Sequence, residues 1–95
     1  MNTTKTTITY ENIEMLKILS HPIRVEIITI LMKHNTLNVS ELVNKLQIPQ
    51  STVSQHLSKM RGNIVGCDRR GLEVYYHINN PMVPKIIEIL LPNNK

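Results

Sequence analysis

Apolar residues recur at helical spacing through the first two thirds of this chain, then switch to alternate positions, then return to helical spacing. Tyr10–Leu19 carries Ile13, Leu16 and Leu19 three residues apart, which predicts a helix with those side chains inward. Ser20-His21-Pro22 breaks it, and proline suits the first position of a second helix. From Pro22 to about Lys33, the residues Ile23, Ile27, Ile28 and Leu31 fall on one stripe, and His34-Asn35 ends the run. Asn38, with Glu41 three residues later, has the form of a capping box opening a third helix that ends near Leu46. Leu46-Gln47-Ile48-Pro49 reads as a tight turn. A fourth helix follows to about Arg61, where Gly62 is a natural stop.

The period then changes. Ile64–Cys67 and Leu72–Ile78 bracket Asp68-Arg69-Arg70-Gly71, and Leu72, Val74, Tyr76 and Ile78 alternate with Glu73, Tyr75 and His77. That is half-buried strand spacing on either side of a turn carrying two arginines at its tip. Asn80-Pro81 then caps a last helix holding Met82, Val83, Ile86, Ile87, Ile89, Leu90 and Leu91. A terminal helix apolar nearly all round needs cover on more than one side, and a partner subunit would supply it. The expected order is α-α-α-α-β-β-α: a mainly helical domain with a small hairpin, the winged helix-turn-helix. Residues 1–8, rich in threonine, are expected to be a loose tail, and residues 9–92 a single winged helix-turn-helix domain.

The fourth helix carries the most specific chemistry. Val53, Leu57 and Met60 form its apolar stripe, and nearly everything else from Pro49 to Arg61 is Gln, Ser, Thr, His or Lys. Exposed helix faces normally use Glu and Lys, whereas Ser and Thr are poor helix formers. An outward face of Gln and Ser with no acid suits a polyanion lined with donors and acceptors, such as the DNA major groove. At ~100° per residue, Ser51, Ser54 and Gln55 are best placed for bases, with Gln50 entering first. Thr52, His56, Lys59 and Arg61 flank them and suit the phosphate backbone. His56 lies beside the apolar stripe, where a packing role competes with a phosphate contact.

Composition adds three constraints. The chain has 95 residues, is 41% hydrophobic and contains no Phe or Trp, so one small aliphatic core is expected. Net charge is +4, and between Asn38 and Gly71 five cations (Lys45, Lys59, Arg61, Arg69, Arg70) face only Glu41 and Asp68. Positive charge is therefore concentrated where DNA contact is expected. The single Cys67 excludes an intramolecular disulfide, and neither a signal peptide nor a membrane span is apparent, so a reducing, cytoplasmic setting is expected.

Three motifs give a family likeness: Ser20-His21-Pro22-Ile23-Arg24, Gln50-Ser51-Thr52-Val53-Ser54-Gln55-His56-Leu57 and Arg69-Arg70-Gly71-Leu72-Glu73-Val74-Tyr75-Tyr76. Together the chain resembles the ArsR/SmtB repressors from about Tyr10 to Leu91. Within them it is most similar to the small metal-independent members, through Leu37–Val39, Pro49–Gly62 and Arg70–Pro81. The resemblance implies a dimeric bacterial repressor paired through its first and last helices, with Ile13, Leu16, Ile86, Ile87, Leu90 and Leu91 at the interface. At the hairpin tip Arg69 and Arg70 are either solvated loop charges or, in a wing, contacts to the minor groove or backbone, and the resemblance to the family's wing motif implies Arg70 as the deeper of the two.

Competing functions meet specific obstacles. Metal sensors of this family place thiolates in the third helix or carboxylates and imidazoles along the last. Here Glu41-Leu42-Val43-Asn44 has no cysteine, the last helix has Glu88 without a histidine, and His21, His34, His56 and His77 lack chelating spacing. No metal and no cofactor is expected. Cys67 reads as a strand residue, although two nearby arginines leave a redox role open. Nothing resembles a catalytic pair or a phosphate loop, so an enzyme is not expected. A winged helix used only for protein contacts would carry apolar anchors on its fourth helix, where Ser and Gln stand instead.

Overall fold

The computed structural model describes residues 7–92. The elements run α1 (Tyr10–Leu19), α2 (Pro22–His34), β1 (Leu37–Asn38), α3 (Val39–Leu46), α4 (Gln50–Met60), β2 (Val65–Arg70), β3 (Glu73–Ile78) and α5 (Met82–Leu90). The proposed tail, residues 1–8, lies outside the described residues except for Thr7 and Ile8, which are exposed and carry no regular structure. No described helix is long and apolar enough to cross a membrane.

Side-chain caps fix where most helices begin. Thr9 accepts the Asn12 N–H at 3.2 Å. The His21 Nδ1 accepts the Ile23 N–H at 3.3 Å, with Pro22 inside the first turn. At α3 the capping box is complete: the Glu41 N–H donates to Asn38 Oδ1 at 2.8 Å and the Asn38 N–H donates to Glu41 Oε1 at 2.9 Å. Asn80 Oδ1 accepts the Met82 N–H at 3.0 Å, so α5 starts one residue beyond Pro81.

The core draws on every element but β3, whose Tyr76 and Ile78 pack against it half-buried. Ile27, Ile28 and Leu31 of α2, Leu42 of α3, Val53, Leu57 and Met60 of α4, and Val83 and Ile87 of α5 are almost wholly buried. Each such side chain contributes roughly 1.5–3 kcal/mol of transfer free energy.

Four expectations change. A third strand exists: β1 pairs with β3 through Leu37↔Tyr76 and Asn38↔Tyr75, giving the antiparallel order β1-β3-β2. The core face of α1 is Met15 and Leu19, whereas Ile13 and Leu16 are 39% and 42% exposed. That short helix carries two apolar stripes, and periodicity alone does not say which one the protomer covers. Ile23 is half-buried only. The hairpin turns later than its composition suggests: Arg70 pairs with Glu73, leaving Gly71-Leu72 as a two-residue turn. Gly71 has φ +66°, the conformation that primed hairpin turns require at their first central position. Arg69 and Arg70 are therefore the last residues of β2, and Leu72, expected to be half-buried, sits at the tip 95% exposed.

Candidate nucleic-acid interface

The turn before α4 is held by two backbone features. Gln47 takes the left-handed conformation (φ 59°, ψ 42°) while its N–H closes α3 onto the Val43 carbonyl. Pro49 is extended and its carbonyl accepts the Thr52 and Val53 N–H groups, both at 3.1 Å. Because Pro49 has no side-chain acceptor, the first turn of α4 is uncapped. Its dipole favours negative charge there.

One side of α4 is anchored by Val53, Leu57 and Met60, each with no measurable exposure. This fixes the opposite face. Gln50, Ser51, Gln55 and Ser58 are exposed, Ser54 is half-buried beside them, and no acidic residue interrupts the strip. Of the expected backbone contacts, Lys59 and Arg61 are exposed, while Thr52 and His56 are half-buried.

His56 has a more definite environment than sequence suggests. Its Nδ1 accepts the Arg24 Nε–H at 3.0 Å, and its ring lies 4.5 Å from that of His21 at an interplanar angle of 57°. An imidazole accepting at Nδ1 is neutral and carries its proton on Nε2. Burial, followed by the neighbouring His21 and the Arg24 guanidinium, holds its pKa below the ordinary imidazole value. His56 is thus a neutral link between helices. Arg24 also donates from Nη1 to the Ile18 carbonyl at 3.0 Å, so one side chain of α2 ties α1 to α4. Arg24, Ser54, Gln55, His56, Ser58 and Lys59 line a depression on the α4 surface. Sequence reading missed Arg24. The available signal was its spacing: Arg24, Ile27, Ile28 and Leu31 stand at i, i+3, i+4 and i+7, so this cation heads the buried stripe of α2.

The wing is attached to the end of α4. Arg61 is extended and bridges to Val65, Gly62 (φ +93°) donates to the Val65 carbonyl at 3.0 Å, and the Ile64 N–H reaches the Met60 carbonyl at 2.9 Å. Strand alternation puts Asp68 and Arg70 on one face with Glu73, Tyr75 and His77, and Cys67 and Arg69 on the other with Val74 and Tyr76. Arg70 Nε donates to Asp68 Oδ2 at 3.1 Å, and its guanidinium lies 4.7 Å from the Tyr75 ring centre. Arg69 has neither a hydrogen bond nor an ion pair with any described residue. Only Arg69 shares the face of half-buried Cys67, so the two arginines do not jointly flank the thiol.

Far from α4, an apolar groove runs between α1, α2 and α5, lined by Leu16, Leu19, Val25, Ile86, Leu90 and Leu91 among others. Of the six residues assigned to pairing, Ile87 is 1% exposed and belongs to the protomer's own core, one turn from buried Val83. Ile86 is half-buried, and Ile13, Leu16, Leu90 and Leu91 are exposed. Among the described residues, no three His, Cys, Asp or Glu side chains converge as a metal site would require.

Comparison with known proteins follows the same lines. Residues 21–63 match the model of the bacterial regulatory protein, arsR family. The transcriptional repressor PagR of Bacillus anthracis is 51% identical over 82 residues, covering 86% of this chain and 83% of that protein. Its crystal structure superposes with a TM-score of 0.82 over 85% of this chain and 93% of that one. The transcriptional activator HlyU of Vibrio cholerae is 32% identical over 80% of this chain and 70% of its own length, and its structure gives a TM-score of 0.77. NolR from Sinorhizobium fredii, 30% identical, superposes with a TM-score of 0.75 over 90% of this chain and 92% of that one. With the winged fold, the anchored Gln/Ser helix and this degree of identity, the chain belongs to the ArsR family of DNA-binding transcriptional regulators.

Proposed function

We propose that this protein is a homodimeric repressor in the cytoplasm that occludes a two-fold-related operator without a metal inducer. The observation that carries the reading is the acid-free face of Gln50, Ser51, Ser54 and Gln55, exposed or half-exposed on a helix whose other side is locked into the core. These residues read base edges, and Thr52, Lys59 and Arg61 engage phosphates, with His56 acting through Arg24. The wing strand adds Arg69 and Arg70. Repression is favoured over activation because PagR, a repressor, is 51% identical and HlyU, an activator, 32%. Exposed Ile13, Leu16, Leu90 and Leu91 beside half-buried Ile86 support pairing through α1 and α5. Operation without metal is supported by the donor set: His21 and His56 lie together, but no third His, Cys, Asp or Glu joins them among the described residues.

Selection of bound duplexes from a random pool tests the reading. The expected product is an inverted repeat with half-sites about one helical turn, ~10 base pairs, or a near multiple apart. Transcription from a promoter carrying that site should fall on adding protein, and zinc or a chelator should leave affinity unchanged. Enrichment of no sequence would overturn the DNA reading. A tenfold response to zinc would overturn the metal-independent one and point to ligands shared across a dimer.

A further inference from the structure

We propose that Arg24 is a preset phosphate anchor for the recognition helix, taking one DNA backbone phosphate into the depression it shares with Ser58 and Lys59. The inference rests on the DNA-binding reading and adds a contact from outside the helix-turn-helix itself.

Arginine has five N–H donors in a rigid fork. Two are used inside the protein, Nε to His56 and Nη1 to the Ile18 carbonyl, both at 3.0 Å. The remaining three have no bond to any described residue. Both acceptors are neutral, and no described carboxylate pairs with this guanidinium, whereas Lys17 and Arg70 each have one. Arg24 is therefore a half-buried, uncompensated cation. A half-desolvated cation without a counter-ion is costly unless its partner arrives from elsewhere. The surroundings fit a phosphate: a second cation from Lys59, a hydroxyl from Ser58, and no carboxylate lining the depression. The two internal bonds hold the fork still before DNA arrives, so less side-chain freedom is lost on binding. A phosphate seated there would set the depth and roll of α4 in the groove, because phosphate contacts fix register while bases supply sequence.

The test is the salt dependence of affinity for operator and for unrelated duplex, in wild type and Arg24→Gln. Glutamine keeps hydrogen-bonding capacity toward α1 and α4 without the charge. The expected result is about tenfold weaker binding to both duplexes. The slope of log affinity against log salt should be shallower by about 0.9 for each phosphate no longer neutralised, doubled in a two-fold complex. A purely structural role would lower thermal stability and affinity at an unchanged slope, and that outcome overturns the proposal. If the variant does not fold, the wild-type protein decides. On adding operator, the nitrogen-15 resonances of the Arg24 guanidinium should shift and its Nη rotation should slow; an unperturbed guanidinium in the complex overturns the proposal. Wild type is measured first, so absence of binding there would refute the DNA reading itself and not this phosphate anchor.

Discussion

The helices on either side of the wing, α4 with 11 residues and α5 with 9, meet solvent in opposite ways. In α4 the three stripe residues vanish completely into the core, and what remains outside is Gln, Ser and Lys. In α5 only Val83 and Ile87 vanish, while Ile89 and Leu90 stay 80% and 72% exposed. A helix whose apolar face is fully used inside its own protomer is complete, and its outer surface is free to carry chemistry for a polar partner. A helix with apolar surplus is incomplete, and its natural partner is another apolar face. The same chain thus presents two surfaces of opposite character, one suited to nucleic acid and one, in the proposed dimer, suited to a second copy.

Breaking the α5 side should produce the largest effect. Leu90→Asp places a charge on the exposed apolar surface of α5 while leaving the buried Val83 and Ile87 untouched. The expected outcome is a folded monomer by sedimentation. Operator affinity should fall by ~10²–10⁴, because the second half-site is no longer delivered at high effective concentration. A variant that remains a dimer with full affinity would show that α5 is not the pairing surface.

On the α4 side the effect should be smaller and selective. Gln55→Ala should cost about 1–3 kcal/mol on the selected site, relax preference at particular base pairs and leave stability unchanged, since Gln55 is exposed. Binding that weakens equally on every sequence would move Gln55 to the backbone and require redrawing the reading face.

The contrast between these helices also marks what sequence could reveal. The α4 stripe, the Asn38–Glu41 capping box and the Asn80 cap were legible because they depend on residues within one or two turns of each other. Strand β1 was not: two residues have no period, and Leu37–Asn38 becomes a strand only through pairing with the distant β3, at Leu37↔Tyr76 and Asn38↔Tyr75. The hairpin register was misplaced because Asp68-Arg69-Arg70-Gly71 has turn composition throughout, while the positive φ at Gly71 alone sets the turn. That Ile87 packs inside its own chain is hidden for a related reason. Ile86, Ile87, Leu90 and Leu91 look alike in sequence, and only the way α5 packs on α2 decides which of them turns inward. Arg24 was hidden because its partner, His56, lies 32 residues away.

The wing offers an intermediate test. Arg70 is already engaged by Asp68 and Tyr75, whereas removing the Arg69 side chain breaks no bond to a described residue. Arg69→Ala should weaken binding to all duplexes and reduce the salt slope by up to ~1.8 in a dimer, at about 0.9 per neutralised phosphate. Arg70→Ala should do the same with some loosening of the hairpin. If neither slope changes, the wing does not touch DNA and α4 reads it alone.

The smallest expected effect concerns the link that steadies α4. His56 binds its proton less readily in the folded protein than in the unfolded chain, first because of burial and then because of His21 and Arg24. Between the two pKa values the unfolded state therefore carries more protons, and stability rises with pH. The contribution of neutral His56 is complete above the unfolded value of ~6.5 and is lost as pH falls through the lower folded value. Protonating Nδ1 also removes the acceptor for the Arg24 Nε–H, so acid should loosen α4 from α2 before it affects α5 pairing. His56→Gln retains an acceptor that does not titrate. Its denaturation midpoint should vary less between pH 5 and 7 than that of wild type, with the two proteins keeping a constant difference from pH 7 to 8. Parallel curves over the whole range would mean that the Arg24–His56 contact does not respond to protons.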